Sequence, residues 1–302
     1  MTIVIEQVAL LMIFGLIGYT LAKTGLVSSQ HTKVLSTLSV YVFLSCNVFK
    51  TFSNNFTPTY LKQNYPLLIL STVILLVMVL FAEVMARTMT KDGYKRNIIR
   101  YSLTIPNYSY VGYPLAEGIF GTLMLQNVMV VTIPTSVFTY TVGYCMLTHS
   151  KVTFKRLLNP TTIAMVLGAI AGLTGFQLPS VMTQVVYKSA ACMAPIGMLL
   201  AGAVIAEYSV KTLAKKKEVY LIAALRLIAT PLVLGGALLL LGLKAYMVPL
   251  MLIFSMPCGL NTIVFPKLIG EDCETGAALA LLTNLACCIT IPVIFWLFGI
   301  MG

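Results

Sequence analysis

Ser102-Leu103-Thr104-Ile105-Pro106-Asn107-Tyr108-Ser109-Tyr110-Val111-Gly112-Tyr113-Pro114 sets two prolines, a glycine and an asparagine inside an apolar run otherwise suited to a spanning helix. Proline has no N–H and its ring collides with the carbonyl one turn back, so the helix is expected to break near Pro106. Backbone groups released at membrane depth are tolerated only where protein or a water-filled cavity encloses them. The same composition returns as Ser255-Met256-Pro257-Cys258-Gly259-Leu260-Asn261-Thr262-Ile263-Val264-Phe265-Pro266. Pro106 and Pro257 are 151 positions apart (257 − 106) in a chain of 302 residues. That spacing predicts two similar halves, and matched interruptions in two halves point to the site of a translocated ligand.

Composition limits the class. The chain is 59% hydrophobic and 10% charged, with a mean hydropathy of +0.93, which places it among integral membrane proteins. The first apolar run starts at Met1 without a basic leader and reads as a spanning helix, not as a cleaved signal. The net charge of +11 lies mostly in short loops after every second apolar run, as cytoplasmic loops do, so it gives no reason to expect nucleic acid. The seven cysteines (Cys46, Cys145, Cys192, Cys258, Cys273, Cys287 and Cys288) lack metal-ligand spacing and read as small buried thiols. No metal or cofactor is expected.

Crossing about 30 Å of hydrocarbon takes about 20 residues, and ten runs qualify, giving an all-α integral membrane protein. The expected spans are roughly 3–22, 31–53, 66–89, 97–118, 122–147, 159–175, 183–207, 218–242, 246–268 and 275–300. Basic residues follow the first span (Lys23, Lys33), the third (Arg87, Lys91, Lys95, Arg96), the fifth (Lys151, Lys155, Arg156) and the seventh (Lys211, Lys215, Lys216, Lys217). These loops are read as cytoplasmic, and both termini as extracytoplasmic. The ninth loop is the exception, because Glu271, Asp272 and Glu274 outnumber Lys267. Ten spans divide as five plus five, 1–150 and 151–302. An odd number per half inverts the second half, which is the inverted-repeat condition, with the fourth and ninth helices broken.

A broken helix presents free donors and partial positive charge at one end and free carbonyls at the other. Two such breaks crossing in an X would bring Asn107 and Asn261 together as amides able to donate to a carboxylate. The competing reading is that each asparagine only satisfies broken backbone. Tyr110 is the best of the tyrosines that follow, and Gly112 and Gly259 serve backbone geometry or close approach. Arg226 lies about 12 Å deep from the inner face at 1.5 Å per residue. It could hold a carbonyl end or bias the site toward anions. Glu83, four residues before Arg87, reads as half of a helical ion pair. Phosphate loops, nucleophile elbows and zinc helices are missing from the sequence, which favours transport over catalysis.

Several stretches together resemble the auxin efflux carrier family of membrane transporters, bacterial type, related to the plant auxin exporters and to the bile acid/sodium symporter-like fold. The segments Ile17-Gly18-Tyr19-Thr20-Leu21-Ala22-Lys23, Pro106-Asn107-Tyr108, Asn159-Pro160, Ala194-Pro195-Ile196-Gly197-Met198, Arg226 with Pro231, and Pro257-Cys258-Gly259-Leu260-Asn261 carry the likeness. The resemblance implies a dimerising scaffold of helices one, two, six and seven. It also implies a mobile domain of helices three to five and eight to ten, with Asn107 in the substrate site and elevator-type alternating access. Ser45 replaces a proline common in the family, with Asn47 adding polarity nearby as a further candidate. Leu67 and Leu68 stand where plant members carry an acidic residue.

The expected function is a cell-membrane (inner or plasma) secondary carrier exporting a small organic anion, such as malate, malonate or an auxin-like acid, as a homodimer surrounded by lipid. A proton- or sodium-coupled importer using Glu83 or unwound carbonyls is the alternative. A membrane-embedded sensor or enzyme is the reading from another class.

Overall fold

The computed structural model describes residues 2–151, 153 and 158–300. Lys155 and Arg156 of the expected junction loop lie outside the described residues. The elements are α1 (Thr2–Lys23), α2 (Ser29–Asn55), α3 (Pro58–Met89), α4 (Gly93–Thr104) and α5 (Tyr108–Leu147), then α6 (Pro160–Thr174), α7 (Ser180–Ala206), α8 (Lys217–Leu240), α9 (Met247–Phe254), α10 (Asn261–Ile269) and α11 (Glu274–Leu297). Among the described residues there is no strand, and the β-type contact is one antiparallel bridge between Pro106 and Cys258.

Six helices, α2, α3, α5, α7, α8 and α11, are long and apolar enough to cross a membrane, with shorter apolar helices at 9–23, 160–174 and 244–254. The difference from ten uniform spans has a local cause. The chain leaves the helix at Ile105–Asn107 and again at Ser255–Leu260, so the expected fourth and ninth spans fall into pieces. At 12 residues, α4 is only about 18 Å long. The second piece of the fourth span runs into the fifth, and the direction changes at Gly121 (φ +80°, ψ −179°), a conformation open essentially to glycine alone.

Close backbone approach ties pairs of helices together. A Cβ added at Gly202 of α7 would lie 1.8 Å from the Gly15 carbonyl oxygen of α1, and one at Gly18 would lie 2.0 Å from that of Leu199. Apolar burial drives little association between helices in lipid, so small residues that admit close packing carry such interfaces. Gly202→Ala is therefore expected to cost about 3 kcal/mol by overpacking, read as a lowered melting temperature of the purified protein. Unchanged melting would place the α1–α7 seam elsewhere.

The outer surface and the centre contrast sharply. On α3, Ile69, Val73, Leu76, Leu80 and Val84 form an apolar stripe in which each residue is at least 50% exposed, as a lipid-facing helix surface requires. By contrast every residue from 249 to 267 is buried, and so are 101–113 apart from half-buried Ser109. Both broken segments are thus enclosed by protein, where unpaired backbone is tolerable.

The basic loops and the exceptional acidic loop meet at one end. Lys216 pairs with Glu274 at 2.7 Å, His149 lies 3.6 Å from Glu271, and Lys95 pairs with Glu218 at 2.5 Å. The acidic ninth loop is therefore part of the basic face, neutralising neighbours across it.

Candidate functional site

The candidate site is the crossing of the two breaks. Pro106 offers no N–H, and the Asn107 N–H turns away from its helix to donate to the Pro257 carbonyl at 2.8 Å. In return the Gly259 N–H donates to the Ile105 carbonyl at 3.3 Å. These two bonds make the antiparallel bridge that pins one break against the other. The Cys258 N–H donates to Thr283 Oγ1 of α11 at 3.2 Å. Among the carbonyls freed by the interruptions are those of Leu103 and Met256. Arg226 Nη1 donates to the first at 3.0 Å and Arg226 Nε to the second at 3.2 Å.

Arg226 is thus a cross-brace between the carbonyl ends of α4 and α9, where the two helix dipoles are negative. Its side chain is fully buried, it belongs to none of the ion pairs among the described residues, and its Nη2 has no hydrogen-bond partner. A buried cation without a carboxylate is costly, and the two charge-assisted bonds offset that cost.

The positive ends belong to α5 and α10. Asn107 precedes α5 at φ −78°, ψ +60° and its side chain makes no capping bond. It is 1% exposed, and both Oδ1 and Nδ2 lack partners. Asn261 behaves differently, since its Nδ2 donates to Tyr101 Oη at 2.9 Å and its unpartnered atom is the acceptor Oδ1. The pair expected to donate together is therefore unequal: Asn107 has its donor free, and Asn261 has committed its own to Tyr101. Tyr110 is buried with its hydroxyl unpartnered. Its ring fills the place of a side chain on Gly197 of α7, where a Cβ would come within 2.2 Å of Cε1. Gly112 packs closely on α9, where an added Cβ would lie 3.1 Å from Ile253 Cδ1. Asn47 is half-buried on α2, with no hydrogen bond or ion pair linking it to the crossing among the described residues. Glu83 is also apart from it, held by Arg87 and by Arg100, whose Nη2 is 2.6 Å away.

The crossing thus brings together paired helix ends, an unneutralised cation and an amide without partners. Residues 3–153 and 148–295, nearly the whole chain, match the family described as "Membrane transport protein", that of the auxin efflux carriers. The chain belongs to that family. This transporter is also similar to an uncharacterized transporter, MJ1031, of Methanocaldococcus jannaschii, 25% identical over 122 residues. The match covers 38% of the transporter and 38% of that protein's length. The family is one of transporters and not of enzymes, and the transporter is a multi-pass membrane protein.

Sequence reasoning missed a polar wall in the transporter. Thr132, Thr135, Ser136, Thr139 and Tyr140 recur at the spacing of one helix face and are all buried. Tyr108 Oη donates to Tyr140 Oη at 3.2 Å and receives a bond from Ser136 at 3.1 Å, while Tyr113 and Thr132 share one at 2.6 Å. The signal was legible as a polar stripe of period 3.6 within an apolar run.

At the basic face a second cluster joins α10 to α2 and α7. Lys267 Nζ, 7% exposed as a residue, lies 2.7 Å and 2.8 Å from the two Glu207 carboxylate oxygens and 3.0 Å from Ser29 Oγ. Ser36 donates to the Val264 carbonyl at 2.6 Å. Charge-assisted bonds of this kind are worth about 1.5–3 kcal/mol each. Glu207→Gln is expected to raise the modification rate of Cys273, 1% exposed beside this cluster, about tenfold or more. The measurement is thiol labelling of a variant whose remaining cysteine is Cys273. Equal rates would show that Lys267 holds nothing shut.

Proposed function

We propose that the transporter is a secondary carrier for a small organic anion, a mono- or dicarboxylate bound at the crossing by Asn107 and exported by alternating access. The observation that carries the reading is the Asn107 amide. Had it served only to mend broken backbone, its side chain would be bonded to that backbone, yet it caps nothing and keeps both polar atoms unpartnered at the positive end of α5. An amide donor, a helix N-terminus and the unneutralised Arg226 together favour an anion. Tyr110 closes the site against α7.

In this reading the short apolar helices and the joined pairs α4–α5 and α9–α10 complete ten spans, arranged as an inverted repeat of five plus five. Helices α3–α5 and α8–α11 move against α1, α2, α6 and α7, which form the scaffold and the homodimer contact. The cluster around Lys267 joins the two groups at the basic, cytoplasmic face and favours the conformation closed there. Outward movement of an anion is driven by an inside-negative potential at about 2.3 kcal/mol per charge per 100 mV, so export needs no coupling ion. Glu83 is engaged by two arginines, which supports this uncoupled reading over a proton-coupled importer that would use Glu83.

The test is flux of radiolabelled malonate and acetate in proteoliposomes under imposed potassium-diffusion potentials. Export is expected to increase with inside-negative voltage. Flux indifferent to voltage, or driven only by a proton or sodium gradient, would overturn the uncoupled mechanism.

A further inference from the structure

A cavity of about 630 Å³ lies among α2, α5, α6 and α7, lined by Lys50, Asn54, Thr122, Gln126, Gln177 and Tyr187 among others. It contains no aspartate or glutamate, and none of Asn107, Tyr110, Arg226 or Asn261 lines it. It sits at the ends of α2 and α6 opposite to the basic face. Lys50 Nζ stands 4.6 Å from the centroid of the Tyr187 ring, and Asn54 Nδ2 donates to Tyr187 Oη at 2.7 Å. Lys50 takes part in no ion pair among the described residues.

We infer that this cavity is a second anion site, in which Lys50 Nζ and the Tyr187 hydroxyl bind the carboxylate of a small organic acid at the face away from the basic loops. An aromatic face attracts an ammonium but accepts none of its hydrogen bonds in the ordinary sense, so the three N–H donors of Lys50 remain for an anion. Asn54 occupies an acceptor position of the Tyr187 oxygen, which leaves the O–H of that hydroxyl free to donate. Two donors on neighbouring helices, α2 and α7, match the two oxygens of one carboxylate. Lys50 is half-buried, while Asn54 and Tyr187, the latter 41% exposed, keep the mouth of the cavity open to a ligand from solvent. The close packing of α6 on α2 fixes the backbone next to Lys50, since a Cβ at Gly168 would lie 2.7 Å from the Phe49 carbonyl oxygen. The choice of a carboxylate as occupant rests on the anion reading above.

Equilibrium dialysis of radiolabelled malonate against the purified full-length protein separates the two sites. The wild type is expected to bind two malonates per chain, Lys50→Gln one, Lys50→Arg two and Asn107→Ala one. In proteoliposomes Lys50→Gln is expected to raise KM from that face about tenfold with kcat within twofold of wild type. Its melting temperature, compared with that of Lys50→Arg, excludes misfolding as the cause. A Lys50→Gln protein that keeps the wild-type stoichiometry and KM overturns the second site, as does a wild type that binds one malonate or none. An Asn107→Ala protein that still binds two overturns the crossing as a site and leaves the Lys50 site standing.

Discussion

Asn107→Ala is expected to lower anion flux roughly 100-fold or more while leaving the melting temperature unchanged or slightly raised. The two halves of this expectation have one cause. Each unpartnered buried polar atom carries a desolvation penalty of about 1–3 kcal/mol, and alanine removes two of them, Oδ1 and Nδ2. The small void left behind costs of the order of 1 kcal/mol, so the net effect on stability is near zero or favourable. The bound anion loses charge-assisted hydrogen bonds worth about 1.5–3 kcal/mol each, and 1.4 kcal/mol is a factor of ten. Flux through proteoliposomes and melting of the purified protein measure the two effects independently. A clear drop in melting temperature with flux retained would return Asn107 to a purely structural role.

Arg226→Met has the opposite profile, a loss of both stability and flux. Two charge-assisted bonds to the Leu103 and Met256 carbonyls disappear, a gross loss of about 3–6 kcal/mol. Relief from burying an unpaired guanidinium returns part of this, leaving a net cost of about 2–4 kcal/mol. The crossing then keeps its two backbone bonds and the Asn261–Tyr101 bond, but the alignment of the helix ends that receive the anion is lost with the brace. Arg226→Lys is expected to restore less than half of the stability, because a single ammonium cannot reproduce a rigid fork that reaches carbonyls on two helices. A methionine variant that melts with the wild type would mean that the bridge between Pro106 and Cys258 and the Asn261–Tyr101 bond hold the crossing without the arginine.

Much of this architecture was legible before any coordinates. The prolines at 106 and 257 remove donors from apolar runs wherever the chain goes, so the interruptions followed from covalent structure. The arginine inside Leu225-Arg226-Leu227 could be recognised as buried and interior-facing because lipid does not accept it. The unequal state of the asparagines was beyond sequence reasoning. Tyr101, 160 positions before Asn261 in the chain, takes the Asn261 donor, and no local pattern distinguishes that residue from Asn107. The ten-span count also blurred in the structure, since Gly121 changes the direction of a helix without ending it and the broken spans fall below spanning length.

The sequence by itself determined that the chain is helical, lies in a membrane and breaks two of its helices, because hydropathy and proline chemistry act through neighbours a few residues away. Only the tertiary structure decided which freed backbone groups find partners. It joined Arg226 to two carbonyls 153 residues apart (256 − 103), and it left the Asn107 amide with none. Hydrogen bonds are satisfied in space, and which donor meets which acceptor is settled only when distant helices have packed.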